Sequence, residues 1–479
     1  MSTQHPDNAR NPFFASNAIL EGDDEIKEAF YAYSHIKCHE QLWDCEGKEV
    51  DNYVVKKLLS KYEPFFKKNR LGRDIFLTLR VPNPEVEKDD AKIILETLES
   101  IPRSFDIARK FYGDDAAPIF EVALPMTTSS ESLLRIKEYY RKFVVEKSSM
   151  RIEGMKISEW VGDFNPKDIN VIPLIETMEG MLNPEKIVEG YITKAGVSEQ
   201  RVWLARSDTA LNYSMVSAIL VNKIALQHLH ALEEKTATKI MPILGLGSAP
   251  FRGNLKPHNL SCLSEYPSVQ TFTIQSAFKY DNDDKDVSEA VKKINDAKRT
   301  RPEYIDEEEA KKIISKLSEA YRKQVAILAD AINAFARHVP SRRRRKLHIG
   351  LFGYSRENEG IRLPRAISFC ASLYSLGLPP EILGLHALNS KELDFVTDCY
   401  KSLDNDMKDA LKYVNEDNFH FFPKDVISDV KKSLGMFSFE TDEKHKTVSS
   451  IILEDFERKD FKTMEENIMR AGSIRGFLG

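Results

Sequence analysis

The feature that most constrains this chain is a repeated alternation of short apolar runs with longer, charged, helix-forming stretches. In order the runs are "SHIKCHEQLW" (34–43), "DIFLTLRVP" (74–82), "PIFEVALPMT" (118–127), "NVIPLIET" (170–177), "RVWLARSDT" (201–209), "KIMPILGLGS" (239–248), "VQTFTIQSAF" (269–278) and "KLHIGLFGYS" (346–355). Most are rich in β-branched or aromatic residues, and runs of this length and composition read as strands. Segments such as "SSESLLRIKEYYRKFVVEK" between them read as helices. Strands alternating with helices form βαβ units and a mainly parallel sheet. Eight of them predict an α/β fold, a (β/α)8 TIM-type barrel with long helical insertions. The chain carries no GxGxxG or GxxxxGK[ST] phosphate loop that would favour a doubly wound open sheet. Beyond about residue 380 the strand pattern fades into helical patterns. The reading is therefore one domain, with an N-terminal segment (1–33), a barrel (about 34–380) and additional C-terminal helices (about 381–479).

Composition removes several function classes. A net charge of -5 with 30% charged residues gives no general reason to expect nucleic acid or an anionic membrane as partner. Five cysteines, scattered and without a CxxC pair, fit a reducing cytoplasm and argue against structural zinc. The N-terminus is polar and no apolar run approaches 18 residues, so no membrane span is expected. One basic run, "SRRRRK", covers Arg342 to Arg345. It precedes the eighth run, at the far end from the strand C-termini, and reads as a solvated or subunit-contact patch.

The fifth run poses the functional question. On a strand with period two, Val202, Leu204, Arg206 and Asp208 share one face, and an interior charge needs a partner or a metal. Active sites of (β/α)8 barrels lie at the C-terminal ends of the strands. Those ends carry Arg80, Thr127, Glu176, Asp208, Ser248, Gln275 and, after the eighth run, Ser355 and Arg356. Glu176 and Asp208 would lie on neighbouring strands, where two carboxylates repel unless a cation intervenes. Magnesium, completed by water and substrate oxygens, is one such cation; an arginine such as Arg206 is another. Arg80, Arg252 in "GLGSAPFRGN", Arg356 and Arg365 add planar forks matched to carboxylate and phosphate. Metal plus several arginines suggests a small phosphorylated acid, with Ser248 and Gln275 as further substrate contacts. His5, alone in a polar terminus, reads by itself as part of a mobile tail.

The segments "STQHPDN", "WDCEGKEVD", "LTLRVPNP", "VIPLIETMEG", "ARSDTALNYS", "GSAPFRGN", "LHIGLFGYSREN" and the terminal "GSIRGFLG" together resemble phosphoenolpyruvate carboxylase in its short archaeal form. The resemblance implies a cytoplasmic homotetramer that requires Mg2+ or Mn2+. It implies conversion of phosphoenolpyruvate and bicarbonate into oxaloacetate and phosphate, through carboxyphosphate and a pyruvate enolate. By similarity to the longer carboxylases, Glu176 and Asp208 would bind the metal, and Arg356 and Arg365 the phosphate. His5, Arg80 and Arg252 would be catalytic. The long form's loop histidine is absent from "LGLG", and Leu211 stands where that form has a lysine. The alternative is another Mg-dependent barrel lyase or aldolase acting on pyruvate-like or acyl-CoA substrates, which has less need of an arginine cluster.

Overall fold

Seven of the eight apolar runs become strands of a single sheet in a computed structural model. It describes residues 1–48, 50–89, 91–344, 356–358 and 361–479, with 356–358 and 361 described through the backbone alone. The strands are β1 (Glu40–Asp44), β2 (Phe76–Arg80), β3 (Glu121–Leu124), β4 (Asn170–Ile175), β5 (Glu199–Ala205), β6 (Lys239–Gly245) and β7 (Thr271–Phe272). Each pairs in parallel with its sequence neighbour, and the sheet order is the chain order. The protein is thus an α/β fold on a curled seven-stranded parallel sheet. The eighth run, 346–355, lies outside the described residues.

The two edges of the sheet are joined by the start of the chain. Ser2 forms parallel bridges to both Gln41 and Ile274. The Ser2 amide donates to the Glu40 carbonyl (2.8 Å), and the Leu42 amide to the Ser2 carbonyl (2.8 Å). On the other side, the Thr3 amide donates to the Ile274 carbonyl and the Ile274 amide to the Met1 carbonyl, both at 2.9 Å. An exposed parallel edge carries unpaired backbone groups, and residues 1–3 satisfy those of β1 and β7 together.

Inside the curl the side chains form layers, as period-two alternation requires. At the amino ends, Arg201 bridges Glu40 (2.7 Å) and Glu121 (3.0 Å). Above them Leu42, Ala123, Ile172, Leu174, Trp203, Ala205 and Ile243 form a separate apolar cluster against Met1. The inward face of β5 is therefore that of Arg201, Trp203 and Ala205. This corrects the sequence-based assignment, because Val202 and Leu204 belong to the outer core shared with the helices. The strand stops at Ala205 and the helix Ser207–Tyr213 begins at once. Asp208 accordingly sits in a first helical turn rather than on the strand.

The outer core runs from Ile26 to Leu478, and the C-terminal helices Ser390–Cys399, Leu403–Leu411, Lys424–Leu434, Glu443–Arg458 and Phe461–Arg475 contribute to it. The helix Met215–Thr236 is long and apolar enough to cross a membrane by length and composition, although Asn222, Lys223 and Gln227 interrupt its apolar run. Of its most apolar 18-residue window 83% is buried within the protein, which makes it a core helix. The basic run is also corrected. Arg343 is buried and pairs with Glu25 (3.0 Å) and Glu28 (2.7 Å), while Arg344 is exposed beside Glu21. Only part of "SRRRRK" is solvated.

Candidate active site

A cavity of about 130 Å³ opens at the carboxyl ends of the strands. Its lining includes His5, Arg80, Glu176, Asp208, Arg252, Gln275 and Arg365, expected site residues drawn from seven separate segments. It is smaller than the roughly 300–1,000 Å³ that holds drug-sized ligands, so a small acid suits it. Ser248 does not line it; its hydroxyl is buried and donates to the Leu255 carbonyl (3.2 Å). Arg356 falls in a described backbone segment, but its side chain, like all of Ser355, lies outside the described residues. A larger groove of about 500 Å³ lies beside the helix Glu307–Ala336. Its Lys311 and Lys323 are already paired with Glu307 and Glu319.

Arg80 and Arg252 are held largely by residues the sequence reading had not assigned. Arg80, at the end of β2, donates Nε and Nη2 to the two oxygens of Asp44 (2.9 and 2.7 Å), and Glu46 Oε2 lies 2.9 Å from Nε. Burial alone would lower the Arg80 pKa; Asp44 and Glu46 more than reverse that and raise it well above the usual arginine value. Burial likewise pushes the Asp44 carboxyl up, but Arg80 wins and holds it below its ordinary range. Arg365 lies just before the helix Ala366–Ser375, and burial pulls its pKa down despite the nearby Glu46. Arg206 does not neutralise Asp208 in the simple way considered above. Its Nη1 donates to the Phe251 carbonyl (3.1 Å).

Arg252 owes its position to the glycine-rich loop. A Cβ at Gly247 would lie 2.9 Å from Arg252 Cζ, so only glycine lets the guanidinium fold back over the loop. Gly253 has φ +122, and a side chain there would strike Leu246. Arg252 Nε donates to Ser207 Oγ (3.2 Å), Nη1 to Asp7 Oδ2 (3.3 Å) and the terminal oxygen of Gly479 (2.8 Å), and Nη2 to Gln275 Oε1 (2.5 Å).

His5 is half-buried at the mouth and held by Thr3, not in a free tail. The Thr3 hydroxyl donates its one proton to the Ile274 carbonyl (3.2 Å). At its contact with His5 Nδ1 (2.9 Å) it must therefore accept. That arrangement pairs with the Nδ1–H tautomer, in which Nε2 is a lone-pair acceptor. Burial, then the charge of Arg80, lowers the His5 pKa to about 3, with Asp44 opposing. The ring is neutral near pH 7.

Glu176 follows β4 and Asp208 follows β5, which are neighbours in the sheet with Leu174 beside Trp203. Among the described residues no cluster of three or more His, Cys, Asp or Glu is set to hold a metal. An all-protein cage is therefore not what the donors offer. Of the three carboxylates on the cavity, Glu46 is engaged with Arg80, and the Glu176 and Asp208 pair, with water and substrate oxygens, fits the usual Mg2+ arrangement. Trp203 and Leu174 supply an apolar wall, and Trp203 Nε1 is buried with no hydrogen-bond partner among the described residues.

A family model described as phosphoenolpyruvate carboxylase matches residues 1–479. A phosphoenolpyruvate carboxylase of Methanothermobacter thermautotrophicus is 52% identical, covering all of this chain and 99% of its own. Those of Pyrococcus abyssi (47%) and Halobacterium salinarum (45%) are similar over the same shares of both chains. With both the matched segments and the strand-end cavity in place, the chain belongs to the phosphoenolpyruvate carboxylase family, carbon–carbon lyases that carboxylate phosphoenolpyruvate.

Proposed function

We propose that this cavity carries out carboxylation of phosphoenolpyruvate by bicarbonate, yielding oxaloacetate and phosphate through carboxyphosphate and a pyruvate enolate. The observation that carries the reading is one small cavity lined by three carboxylates (Glu46, Glu176 and Asp208), four arginines (Arg80, Arg206, Arg252 and Arg365) and a neutral histidine. Glu176 and Asp208 would hold Mg2+ or Mn2+, which when bound supplies Lewis-acid stabilisation of developing negative charge. Arg80, Arg252 and Arg365 bind phosphate and carboxylate oxygens as charge shifts between them. Arg80 commits two donors to Asp44 and presents the rest from a fixed plane. His5 Nε2 accepts or returns a proton at the bicarbonate-derived group. The wall of Trp203 and Leu174 excludes water, which would otherwise protonate the enolate to pyruvate. Arg356 joins the phosphate site on the strength of the resemblance alone.

The sheet reads as a (β/α)8-type barrel in which residues 1–3 complete the ring between β7 and β1. Cytoplasmic location and a homotetramer remain part of the proposal, as does the absence of nucleic-acid and membrane partners. A coupled oxaloacetate assay, omitting Mg2+, phosphoenolpyruvate and bicarbonate in turn, tests the chemistry. Oxaloacetate and phosphate should form in equal amounts only with all three present. Phosphate release that ignores bicarbonate, or acyl-CoA cleavage, would return the site to the lyase and aldolase alternative.

A further inference from the structure

Asp7 belongs to neither the metal pair nor the arginine cluster, yet its carboxylate is fully buried at their junction. Oδ1 accepts the Ala277 amide (2.7 Å), two residues after Gln275. Oδ2 accepts the Ser248 amide and Arg252 Nη1, each at 3.3 Å. Its amide donates to the His5 carbonyl (3.1 Å), and its carbonyl accepts the Leu478 amide (2.6 Å). One residue thus ties the His5 segment, the glycine-rich loop, the β7 end and the C-terminus together.

Arg252 shows why this matters. A guanidinium has five N–H donors. Four are directed at Ser207, Asp7, Gly479 and Gln275, leaving one on Nη2. Of those four partners Asp7 has the only acidic side chain, and it shares the buried guanidinium's countercharge with the terminal oxygen of Gly479. Without Asp7 the guanidinium keeps only part of that countercharge and is drawn toward the acids on its cavity, Glu46, Glu176 and Asp208. We propose that Asp7 is a positioning residue, holding Arg252 off the metal pair and His5 over the mouth.

The proposal rests on the carboxylase reading, so wild-type bicarbonate-dependent oxaloacetate formation is measured first; its failure sinks that reading and is seen separately. Folded Asp7→Asn keeps an acceptor for the Ala277 amide but loses the charge. It should lower kcat about 100-fold, the cost of an ångström-scale misplacement, while KM for phosphoenolpyruvate changes less than about 3-fold. The pyruvate share of product should rise. Asp7→Ser should regain activity in sodium formate but not in sodium chloride, because formate restores the carboxylate. Wild-type kcat and product ratio in folded Asp7→Asn would overturn the proposal, as would an Asp7→Ser enzyme blind to formate. If neither variant folds, the carboxylate serves stability and the positioning role is equally lost.

Discussion

His5 shows how far a single side chain's surroundings decide its chemistry. Its ring is held neutral by burial and by Arg80, and its tautomer is set by Thr3. His5→Asn should leave phosphate release running at a rate within about tenfold of normal while pyruvate replaces oxaloacetate; product analysis by coupled assays reads the two. The same ring makes a pH prediction. Its pKa is about 3 in the folded chain against an ordinary 6.5. The unfolded chain therefore takes up a proton first as pH falls. Stability from the neutral ring is complete above 6.5 and is lost as pH drops toward 3. His5→Asn should accordingly lose less melting temperature than wild type between pH 7 and 4. An equal loss would place the ring in contact with solvent. Asp208→Asn, at the other side of the cavity, should abolish turnover and weaken Mn2+ binding seen by electron paramagnetic resonance, with circular dichroism unchanged. Tight Mn2+ binding in that variant would remove Asp208 from the metal site.

At the level of elements, local pattern carried most of the sheet. β2 to β7 lie inside their apolar runs or within two residues of them, because buried parallel strands need continuous apolar stretches. β1 was misjudged at its start: 34–39 closes the helix Asp23–Ser34 and turns, and pairing begins only at Glu40. The face of β5 was misread because Arg206 and Asp208 seemed to continue an alternation that stops at Ala205. The ring-closing residues 1–3 had no legible signal; three polar-flanked residues show no period. Asp44 and Glu46 were visible in "WDCEG" only as acids after a strand, and their hold on Arg80 needs tertiary contact. The glycine-rich loop is the element most open to test. Gly247→Ala should cut kcat by about 10- to 100-fold through Arg252, with less than about 1 kcal/mol of stability lost in chemical denaturation. Unchanged kcat would show that Arg252 can fold back past a methyl group. His228 offers a second test, since it joins three helices through Glu185 and Glu307, each at 2.9 Å. Burial opposes its charge, but the two acids raise its pKa. That stability is present below the unfolded value and fades as pH rises through the folded one. His228→Gln should flatten the loss of melting temperature between pH 6 and 8.

For the whole molecule, a buried charge cluster anchors the segment that joins the edges of the sheet. Glu28 accepts Arg343 Nη2 (2.7 Å), Lys279 Nζ (2.9 Å), the Tyr280 hydroxyl (2.7 Å) and Gln4 Nε2 (3.2 Å). Lys279 in turn donates to Ser2 Oγ (3.2 Å) and the Thr3 carbonyl (2.9 Å). Arg343 is thus linked through Glu28 and Lys279 to the residues that bridge β1 and β7, and through Thr3 to His5. Burial pushes the Glu28 carboxyl up, but Arg343 and Lys279 prevail and lower it. Its stability is present above the ordinary carboxylate range and is lost as pH falls below it. Removing one member of a buried charged set leaves the others uncompensated, at about 3–5 kcal/mol. Arg343→Met should therefore destabilise the chain by that amount in urea. Arg344→Met, an exposed neighbour in the same basic run, should cost less than about 1 kcal/mol. Under conditions where both variants remain folded, only Arg343→Met should divert product from oxaloacetate to pyruvate, because only it loosens the segment that carries His5. Equal effects of the two substitutions would return the run to a surface patch and sever the sheet's closure from the reaction.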